Sequence, residues 1–412
     1  MRLLIVSHTP HYHAGDQIVG WGPTVRELGY LAALFDSVVH VAVGYPGPAP
    51  ASALPYAAAN VRVRLVEPAG GDTLRDKIGI LTAYPNYARV IREEMEHADA
   101  IHVRCPANIS LLALWQLGRR ELPPYRWVKY AGNWRPDGGE PRSYRLQRRW
   151  LTENRHHGVV TVNGRWPNQP NHVVSFYNPC LTDEEAAQGG TLAAGKMLGS
   201  PVELLFVGEL NEGKGVGRVL RVALALQSRG IPFRLRLLGD GPDRPRYEAW
   251  VRENKLAGTS FLGWVPRTQV SDYYAAAHFI LLPSRSEGWP KVLSEAMAYG
   301  VVPVAAAVSS IPQILGETRA GVALPVDDVE GMAEAIAGYV TEPERWAAAG
   351  RAGVVAAHRF TYGAYQSAVA GLFSGAWGVH LSIPEKPVGH EPVLIPAQPD
   401  PVNVPYSSNG YH

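Results

Sequence analysis

Short apolar runs rich in valine, isoleucine and leucine alternate with longer segments of helical periodicity along most of the chain. Strands buried in a parallel sheet are continuously apolar, whereas amphipathic helices repeat their apolar residues every three or four positions. The pattern therefore predicts repeated strand–helix units of the α/β class. In the first half the predicted strands are Leu3–Ser7, Val38–Val43, Val61–Val66, Ala100–Val103, Trp127–Tyr130, Val159–Val162 and Val173–Ser175. The predicted helices are Val25–Phe35, Tyr87–His97, Ser110–Leu117 and Tyr144–His156.

A second series of units begins at residue 202. Its predicted strands are Val202–Val207, Phe233–Leu238, Ser260–Leu262, Phe279–Leu282, Val302–Ala305 and Val322–Leu324. Its predicted helices are Val216–Arg229, Arg246–Leu256, Val270–Ala276, Val292–Tyr299, Gly331–Tyr339 and Tyr362–Phe373. Residues 181–201 hold turn residues and little apolar periodicity, so we predict a linker there.

The 412 residues are enough for two domains of ordinary size. We predict an amino-terminal domain over 1–180, the linker over 181–201 and a second domain over 202–373. Residues 374–412 are rich in proline and are expected to be an extended or disordered tail. Two doubly wound, Rossmann-like domains that face each other would form a cleft where the carboxyl ends of the strands gather, the usual place for a ligand.

The net charge of +2 divides unevenly, with +6 in residues 1–180 and −4 in residues 181–412. A half at +6 is too weakly basic for a nucleic-acid groove, but it suits a surface that meets phosphates or anionic headgroups. Uneven solvated charge is an equally simple explanation. Two cysteines exclude a disulfide framework and a four-cysteine zinc site, and favour the cytoplasm. The amino terminus reads as a strand rather than a signal peptide, and no apolar run reaches the ~20 residues of a membrane-spanning helix.

The stretch from residue 283 to residue 300 carries the most chemical information. It follows a buried strand, and Gly288 and Pro290 mark a turn into a helix. We expect the N–H groups of residues 289–292 to point into the cleft, where the helix dipole favours a phosphate without a metal ion. Glu287 lies before the helix and Glu295 within it, and carboxylates accept hydrogen bonds from sugar hydroxyls. Taken singly, either glutamate could be an ordinary helix-terminus charge.

In this stretch the chain resembles the E-x7-E signature of retaining glycosyltransferases of the GT-B fold, family 4 in the usual grouping. The resemblance spans residues 202–373. Its motifs occur in the family's order: Val207-Gly208-Glu209-Leu210 with Lys214-Gly215, Leu238-Gly239-Asp240-Gly241-Pro242, Phe261-Leu262-Gly263-Trp264-Val265, Glu287-Gly288-Trp289-Pro290-Lys291-Val292 with Glu295, and Gly300-Val301-Val302-Pro303.

The resemblance implies a role for each matching residue. Glu287 would contact the transferred sugar, and Glu295 would hold the ribose hydroxyls of the donor nucleotide. Lys214 would neutralise the diphosphate, although a lysine between two glycines is more often a solvated turn charge. The remaining donor-side residues are Gly208, Glu209 and Gly239 near the phosphates, Trp264 and Val265 in the loop that reads the base, and Gly288, Trp289, Pro290, Lys291 and Val292 at the helix start.

Two positions depart from the family pattern. Glu209 stands where the family has an arginine, and a carboxylate beside a diphosphate is repulsive. Glu209 turns away, or Arg285 or Lys291 supplies the missing cation, or donor binding is impaired. Ala131 stands where the family has a cleft histidine, and Asn133 or Lys129 would have to replace its contact to the sugar.

The first half resembles the family more weakly. Gly20, Trp21 and Gly22 match a glycine-rich turn on the acceptor or sugar side, although a simple turn explains them equally. His102 lies in a segment that the family places near the acceptor, and a strand histidine is more often a core residue. We expect the three histidines His8, His11 and His13 to hydrogen-bond a substrate at the strand end rather than hold a metal.

The segment Arg142–His157 holds five arginines with Leu146, Trp150 and Leu151 between them. At helical spacing this gives a basic helix with an apolar stripe, suited to a membrane surface or to a pyrophosphate-bearing acceptor. An ordinary amphipathic helix packed on its own sheet would have the same pattern. The sequence therefore allows a peripheral contact with the inner face of the membrane.

These observations predict a metal-independent glycosyltransferase that uses no cofactor and moves a sugar from a nucleotide donor, such as a UDP- or GDP-sugar, to an acceptor hydroxyl. The resemblance implies retention of configuration and an acceptor that is a glycan, a lipid-linked sugar or a small molecule, in polysaccharide or glycoconjugate synthesis. No residue is assigned as general base. The alternatives are an epimerase or phosphorylase of the same fold, or a non-catalytic nucleotide-sugar-binding scaffold. A dinucleotide oxidoreductase is set aside, because no Gly-x-Gly-x-x-Gly follows the first strand.

Overall fold

The computed structural model describes residues 1–69, 74–136, 138 and 140–384. The chain divides into two compact units. Of the described residues, unit 1 holds those of 1–176 together with 365–384, and unit 2 holds Tyr177–Ala364. Each unit is an α/β domain built on a mainly parallel sheet, as the sequence predicts.

Unit 1 is built on one sheet. Its strands are β1 (Arg2–Ala14), β2 (Gln17–Trp21), β3 (Ser37–Gly44), β4 (Ala53–Pro55), β5 (Val61–Val66), β6 (Ala100–Cys105), β7 (Tyr125–Tyr130), β8 (Val159–Val162) and β9 (Val173–Ser175). Its helices before unit 2 are α1 (Gly22–Ala32), α2 (Leu74–Met95), α3 (Asn108–Leu117) and α4 (Arg142–Thr152). The parallel strands run in the order β5-β3-β1-β6-β7-β8-β9. β2 adds to β1 as an antiparallel hairpin, and β4 pairs with β2.

Unit 2 is built on a parallel sheet in the order β12-β11-β10-β13-β14-β15. These strands are β10 (Val202–Val207), β11 (Phe233–Leu238), β12 (Thr259–Gly263), β13 (Phe279–Leu282), β14 (Val302–Ala306) and β15 (Val322–Leu324). The helices are α5 (Asp183–Ala194), α6 (Val216–Ser228), α7 (Arg244–Glu253), α8 (Arg267–Ala276), α9 (Lys291–Ala298), α10 (Ile311–Thr318), α11 (Val329–Thr341), α12 (Pro343–Ala357) and α13 (Tyr362–Trp377), which continues into unit 1. Strand order reverses between β10 and β13, which makes their carboxyl ends the topological switch point.

Residues 181–201 are predicted to be a linker between the domains, but residues 183–194 form helix α5 within unit 2. Thr182 accepts a hydrogen bond from the Glu185 N–H while the Glu185 carboxylate accepts one from the Thr182 N–H, a reciprocal capping box that starts the helix. Gly189 lets α5 cross α9 closely, since a Cβ there would lie 2.7 Å from the carbonyl oxygen of Ala298. The segment is therefore part of the second unit.

The predicted end of the second domain also differs. Helix α13 runs to Trp377, four residues beyond its predicted end, so the predicted tail does not start at residue 374. From Tyr365 onward this helix packs in the core of unit 1, where Val369 and Phe373 are fully buried. The Gln366 side chain donates to the carbonyl oxygen of Tyr30 at 2.8 Å. Residues 385–412 of the predicted tail lie outside the described part of the chain.

The described residues include neither a membrane-spanning helix nor a metal-binding cluster. None of the described helices has the length and apolar content needed to cross a bilayer. No group of three or more His, Cys, Asp or Glu side chains within the described ranges is arranged to hold a metal ion.

Candidate functional site

The predicted donor residues of unit 2 gather at the switch point of its sheet. Strands β10 and β13 are parallel neighbours, with Leu204 opposite Phe279 and Leu205 opposite Ile280. The loop after β10 carries Gly208, Glu209 and Lys214, and the loop after β13 carries Glu287. Ligands of open α/β sheets bind at this edge, so the topology itself brings the two loops to one site.

The two loops touch through their backbones. Gly215 has φ +82°, and a Cβ there would lie 2.2 Å from the carbonyl oxygen of Pro283. The N–H of Arg285 donates to the carbonyl oxygen of Gly213 at 3.0 Å. The guanidinium of Arg218, which is fully buried, donates to the same Pro283 carbonyl at 2.8 Å. These contacts fix the position of Lys214 relative to Glu287.

Lys214 and Glu287 form an ion pair, with Nζ and Oε1 at 2.8 Å. Their side chains are 24% and 10% exposed, so Glu287 is nearly buried while Lys214 still reaches solvent. The sequence predicts that both residues belong to one site, although they are 73 residues apart. The ammonium remains accessible enough to bind an anion while Glu287 holds it in place.

Helix α9 begins at Lys291, with Pro290 as its N-cap residue. The predicted cradle of N–H groups from residues 289–292 is wrong in part, because Pro290 has no N–H and Trp289 precedes the helix. The Trp289 ring is buried, stacks on Phe360 at 5.0 Å and donates through Nε1 to the Ser294 hydroxyl at 2.7 Å. Trp289 therefore anchors the first turn of α9 instead of contacting a ligand directly.

Glu295 lies one turn further along α9 and has two partners. Its Oε1 accepts from the Arg267 guanidinium at 2.9 Å, and its Oε2 accepts from the Tyr274 hydroxyl at 2.9 Å. The side chain is 14% exposed. The sequence analysis identified neither Arg267 nor Tyr274 as a partner of Glu295. The one weak signal was that Arg267 directly follows the predicted base-reading loop.

The loop after β12 meets the loops after β10 and β11 through glycines. Gly239 has φ +127°, and its N–H donates to the carbonyl oxygen of Gly263 at 2.7 Å. A Cβ at Gly239 would lie 1.9 Å from the carbonyl oxygen of Gly208, so only glycine fits. Trp264 is 52% exposed and Val265 is half-buried. The loops after β10, β11 and β12 thus come together as the sequence predicts.

Glu209 is half-buried, and within the described residues its carboxylate has no ion pair or hydrogen bond. Of the two cations expected to compensate for it, Arg285 lies 3.4 Å from Asp327. Its guanidinium is thus already engaged by another carboxylate.

The residues predicted as a glycine-rich turn in unit 1 lie where strand β2 passes directly into helix α1. Gly20 and Trp21 belong to strand β2, and Gly22 is the first residue of α1. Both glycines permit close packing instead: a Cβ at Gly20 would lie 2.5 Å from the His11 ring, and one at Gly22 would lie 2.5 Å from the carbonyl oxygen of Ser52.

The other acceptor-side residues predicted in unit 1, His102 and Asn133, and the alternative Lys129 all have partners within that unit. His102 is fully buried on β6, and its ring centroid lies 3.8 Å from that of Trp127. It therefore occupies the core position that was the alternative to a contact with the acceptor. Burial, followed by the nearby charges of Arg104 and Lys129, holds the pKa of His102 well below its usual value. Asn133 accepts a turn hydrogen bond from the Arg135 N–H at 3.0 Å. Lys129 is buried in an ion pair with Glu27 at 2.7 Å, so it does not substitute for the histidine that Ala131 replaces.

The predicted substrate role of the amino-terminal histidines is wrong for His11, which belongs to a buried network that sequence reasoning missed. Its Nδ1 is 2.8 Å from the Thr9 carbonyl oxygen and its Nε2 is 3.0 Å from the Tyr56 hydroxyl. The same hydroxyl is 2.6 Å from Nδ1 of His40, whose Nε2 is 2.7 Å from the Ser7 hydroxyl. Burial lowers the pKa of His11 to about 4 and that of His40 well below its usual value.

Comparison with solved structures establishes the fold. Sucrose-phosphate synthase from Thermosynechococcus elongatus superposes with a TM-score of 0.66 at 20% identity, over 91% of this chain and 98% of that one. Anabaena HepE in complex with UDP superposes with a TM-score of 0.63 at 16% identity, over 91% and 100%. The chain therefore has the GT-B fold, as the sequence predicts.

Residues 197–353 match the family described as "Glycosyl transferases group 1". The D-inositol 3-phosphate glycosyltransferase of Kribbella flavida is 29% identical over 222 residues, 51% of this chain and 51% of that protein. The putative colanic acid biosynthesis glycosyltransferase WcaL of Escherichia coli is 30% identical over 147 residues, 34% of this chain and 36% of that protein. The chain thus matches about half, or less, of the length of these curated relatives.

Proposed function

We propose that the protein is a glycosyltransferase that moves a sugar from a nucleoside-diphosphate donor to an acceptor hydroxyl, with retention of configuration. The observation that carries the proposal is the Lys214–Glu287 pair at the carboxyl ends of β10 and β13, with Glu295 on the next helix. The match of residues 197–353 to glycosyl transferases group 1 supports it, as does the UDP in the Anabaena neighbour.

In the proposed reaction the acceptor oxygen forms a bond to the anomeric carbon while the bond from that carbon to the diphosphate oxygen breaks. The acceptor hydroxyl loses its proton, and the electron pair of the broken bond leaves with the diphosphate, on which negative charge develops. Lys214 and the amino end of α9 stabilise that charge without a metal ion. Glu287 contacts the sugar and Glu295 accepts hydrogen bonds from the ribose. No side chain is assigned as general base. The acceptor is a glycan, a lipid-linked sugar or a small molecule in glycoconjugate synthesis.

The test begins with ADP-, GDP- and UDP-sugars, measured for thermal stabilisation of the protein and for slow donor hydrolysis. One nucleotide series should raise the melting temperature, because a ligand bound only by the folded state stabilises it. Replacing Glu295 by Ala should weaken binding of that nucleotide about tenfold, since it removes charged hydrogen bonds to the ribose. The proposal fails if no donor stabilises the protein or if Glu295→Ala binds unchanged.

A non-catalytic donor-binding protein is the second candidate, favoured by the unpaired carboxylate of Glu209 among the described residues. It predicts donor binding without hydrolysis or transfer. Turnover with any acceptor excludes it.

We also propose that the protein contacts the inner, anionic face of a membrane through α4. Four exposed residues at helical spacing form one face of this helix: Arg142, Arg145, Leu146 and Arg149. Leu146 is 42% exposed, whereas Gln147 and Leu151 are buried against unit 1. An exposed leucine flanked by arginines is typical of a helix that lies on anionic lipid.

A further inference from the structure

Arg267, the first residue of α8, joins three parts of unit 2. One nitrogen, Nη1, donates to Oε1 of Glu295 at 2.9 Å. The other, Nη2, donates to both oxygens of Glu185 at 2.9 and 2.8 Å and to the carbonyl oxygen of Cys180 at 2.8 Å. The guanidinium therefore ties the start of α5 to the carboxylate of α9.

The Glu295 carboxylate is held from two sides. While Arg267 bonds its Oε1, the Tyr274 hydroxyl donates to its Oε2 at 2.9 Å. A carboxylate oxygen has two acceptor positions, so each oxygen retains one position for a further donor. The directions of these positions are fixed by the arginine and the tyrosine rather than by Glu295 itself.

Arg267 acts on Glu295 through its charge as well as through its two-nitrogen geometry. Glu185 and Glu295 both contact its guanidinium, so one cation separates two carboxylates. Without the guanidinium, two partly buried carboxylates would face each other and repel, and the Glu295 side chain would rotate or lose its charge. Tyr274 alone could not prevent this, because a neutral hydroxyl leaves the repulsion in place.

We propose that Arg267 is the positioning residue that orients Glu295 toward the two hydroxyls of the donor ribose, and that Glu185 holds Arg267 for this task. The assignment rests on the proposed function, in which Glu295 binds the ribose. It gives the start of α5 a part in donor recognition, because α5 supplies Glu185 and begins beside Cys180.

Arg267→Lys is the first variant. It keeps the positive charge, but a single ammonium nitrogen cannot occupy both guanidinium positions, Nη1 beside Glu295 and Nη2 beside Glu185 and the Cys180 carbonyl. Glu185→Gln is the second variant and guards against misfolding of the first. Its amide oxygen still accepts from the Thr182 N–H, so the cap of α5 persists while the ion pair with Arg267 is lost.

The readout is the affinity ratio between ADP, GDP and UDP and their 2′,3′-dideoxy analogues, measured by calorimetry. The wild type should bind the preferred ribose form about tenfold tighter than its dideoxy analogue, because only the former bonds Glu295. Arg267→Lys should lower the ratio below about threefold while the dideoxy affinity stays within about twofold. Glu185→Gln should give an intermediate ratio, and Arg345→Lys, at an exposed ion pair with Glu342, the wild-type ratio.

A purely structural role for Arg267 would weaken both nucleotide forms equally, and that result overturns the assignment. An unchanged ratio in Arg267→Lys, with the ratio lost in Glu295→Ala, also overturns it and leaves the proposed function standing. A wild-type protein that binds ribose and dideoxy forms equally, or binds none of them, overturns the proposed function and this assignment together.

Discussion

At the scale of single residues, Glu209 is the position where charge and proposed function conflict. It follows Gly208, whose carbonyl oxygen packs against Gly239, and the proposed function places the donor diphosphate beside these glycines. Within the described residues it has no counter-ion, unlike Glu212 of the same loop, which pairs with Arg218 and Arg246. The charge of Glu209 is therefore free to repel a diphosphate.

Glu209→Gln should tighten binding of the preferred nucleoside diphosphate about fivefold at low salt. A unit charge about 5 Å from another contributes about 1 kcal/mol at the dielectric constant of ~80 that suits a half-buried side chain in contact with water, which is about fivefold in affinity, and added salt screens it. Titration calorimetry at two salt concentrations measures the gain and its expected decrease with salt. Glu212→Gln is the matched control and should change the affinity less. Equal or weaker binding by Glu209→Gln would show that the carboxylate does not face the diphosphate.

The sequence predicted the residues of the site better than their partners. Lys214 and Glu287 belong to recognisable motifs, and adjacent parallel strands bring motifs at strand ends together. The partners of Glu295 could not be predicted, because Arg267 and Tyr274 lie on another helix and their geometry depends on how α8 packs against α9. Local patterns contain no information on that packing.

At the scale of elements, periodicity found the buried strands and failed where burial was less regular. Strand β1 continues to Ala14 beyond its apolar start, because its second half pairs with β2 as a hairpin of mostly polar residues. Helix α5 was missed because its glycines suggested a turn, although Thr182 and Glu185 have the spacing of a capping box. In both segments, contacts with residues elsewhere in the fold determine the secondary structure.

Helix α4 should bind the protein to anionic lipid vesicles. The protein should sediment with vesicles containing about 30% phosphatidylglycerol, and not with pure phosphatidylcholine, because each arginine near an anionic surface contributes about 1 kcal/mol. Replacing Arg142, Arg145 and Arg149 by Gln should weaken vesicle binding about 30-fold or more.

The matched control for α4 replaces Arg234, Arg345 and Arg359 by Gln, three exposed arginines of unit 2. It changes the net charge by the same amount and should leave vesicle binding near the wild-type level. Equal losses in the two triple variants would mean that net charge, and not the exposed face of α4, attracts the lipid.

At the scale of the whole molecule, the two units differ in their buried histidines. Among the described residues of unit 1, burial is the first cause of a lowered pKa at His11, His40, His102 and His156, which falls to about 4 for His11 and about 3 for His156. In the described part of unit 2 the corresponding residue is His278, with a pKa of about 4. Protonation in the unfolded state therefore favours unfolding of unit 1 more than of unit 2.

The sign of the effect follows from proton binding. Well above pH 6.5, by about one pH unit or more, these histidines are neutral in both states and contribute almost no pH dependence. Between pH 6.5 and about 4, the unfolded chain binds protons that the folded chain does not, so the free energy of unfolding falls as the pH falls. At pH 5 the loss is on the order of 2 kcal/mol for each such histidine.

Unit 1 should therefore lose amide-hydrogen protection before unit 2 when the pH is lowered from 7.5 to 5. Hydrogen exchange read by mass spectrometry, corrected for the intrinsic pH dependence of exchange, measures each unit by its own peptides. Replacing His11 by Gln should flatten the pH dependence of unit 1 while leaving unit 2 unchanged, whereas His97→Gln, at an exposed histidine of unit 1, should alter neither. Equal acid sensitivity of the two units would contradict the histidine explanation, because the asymmetry in buried histidines is what separates them.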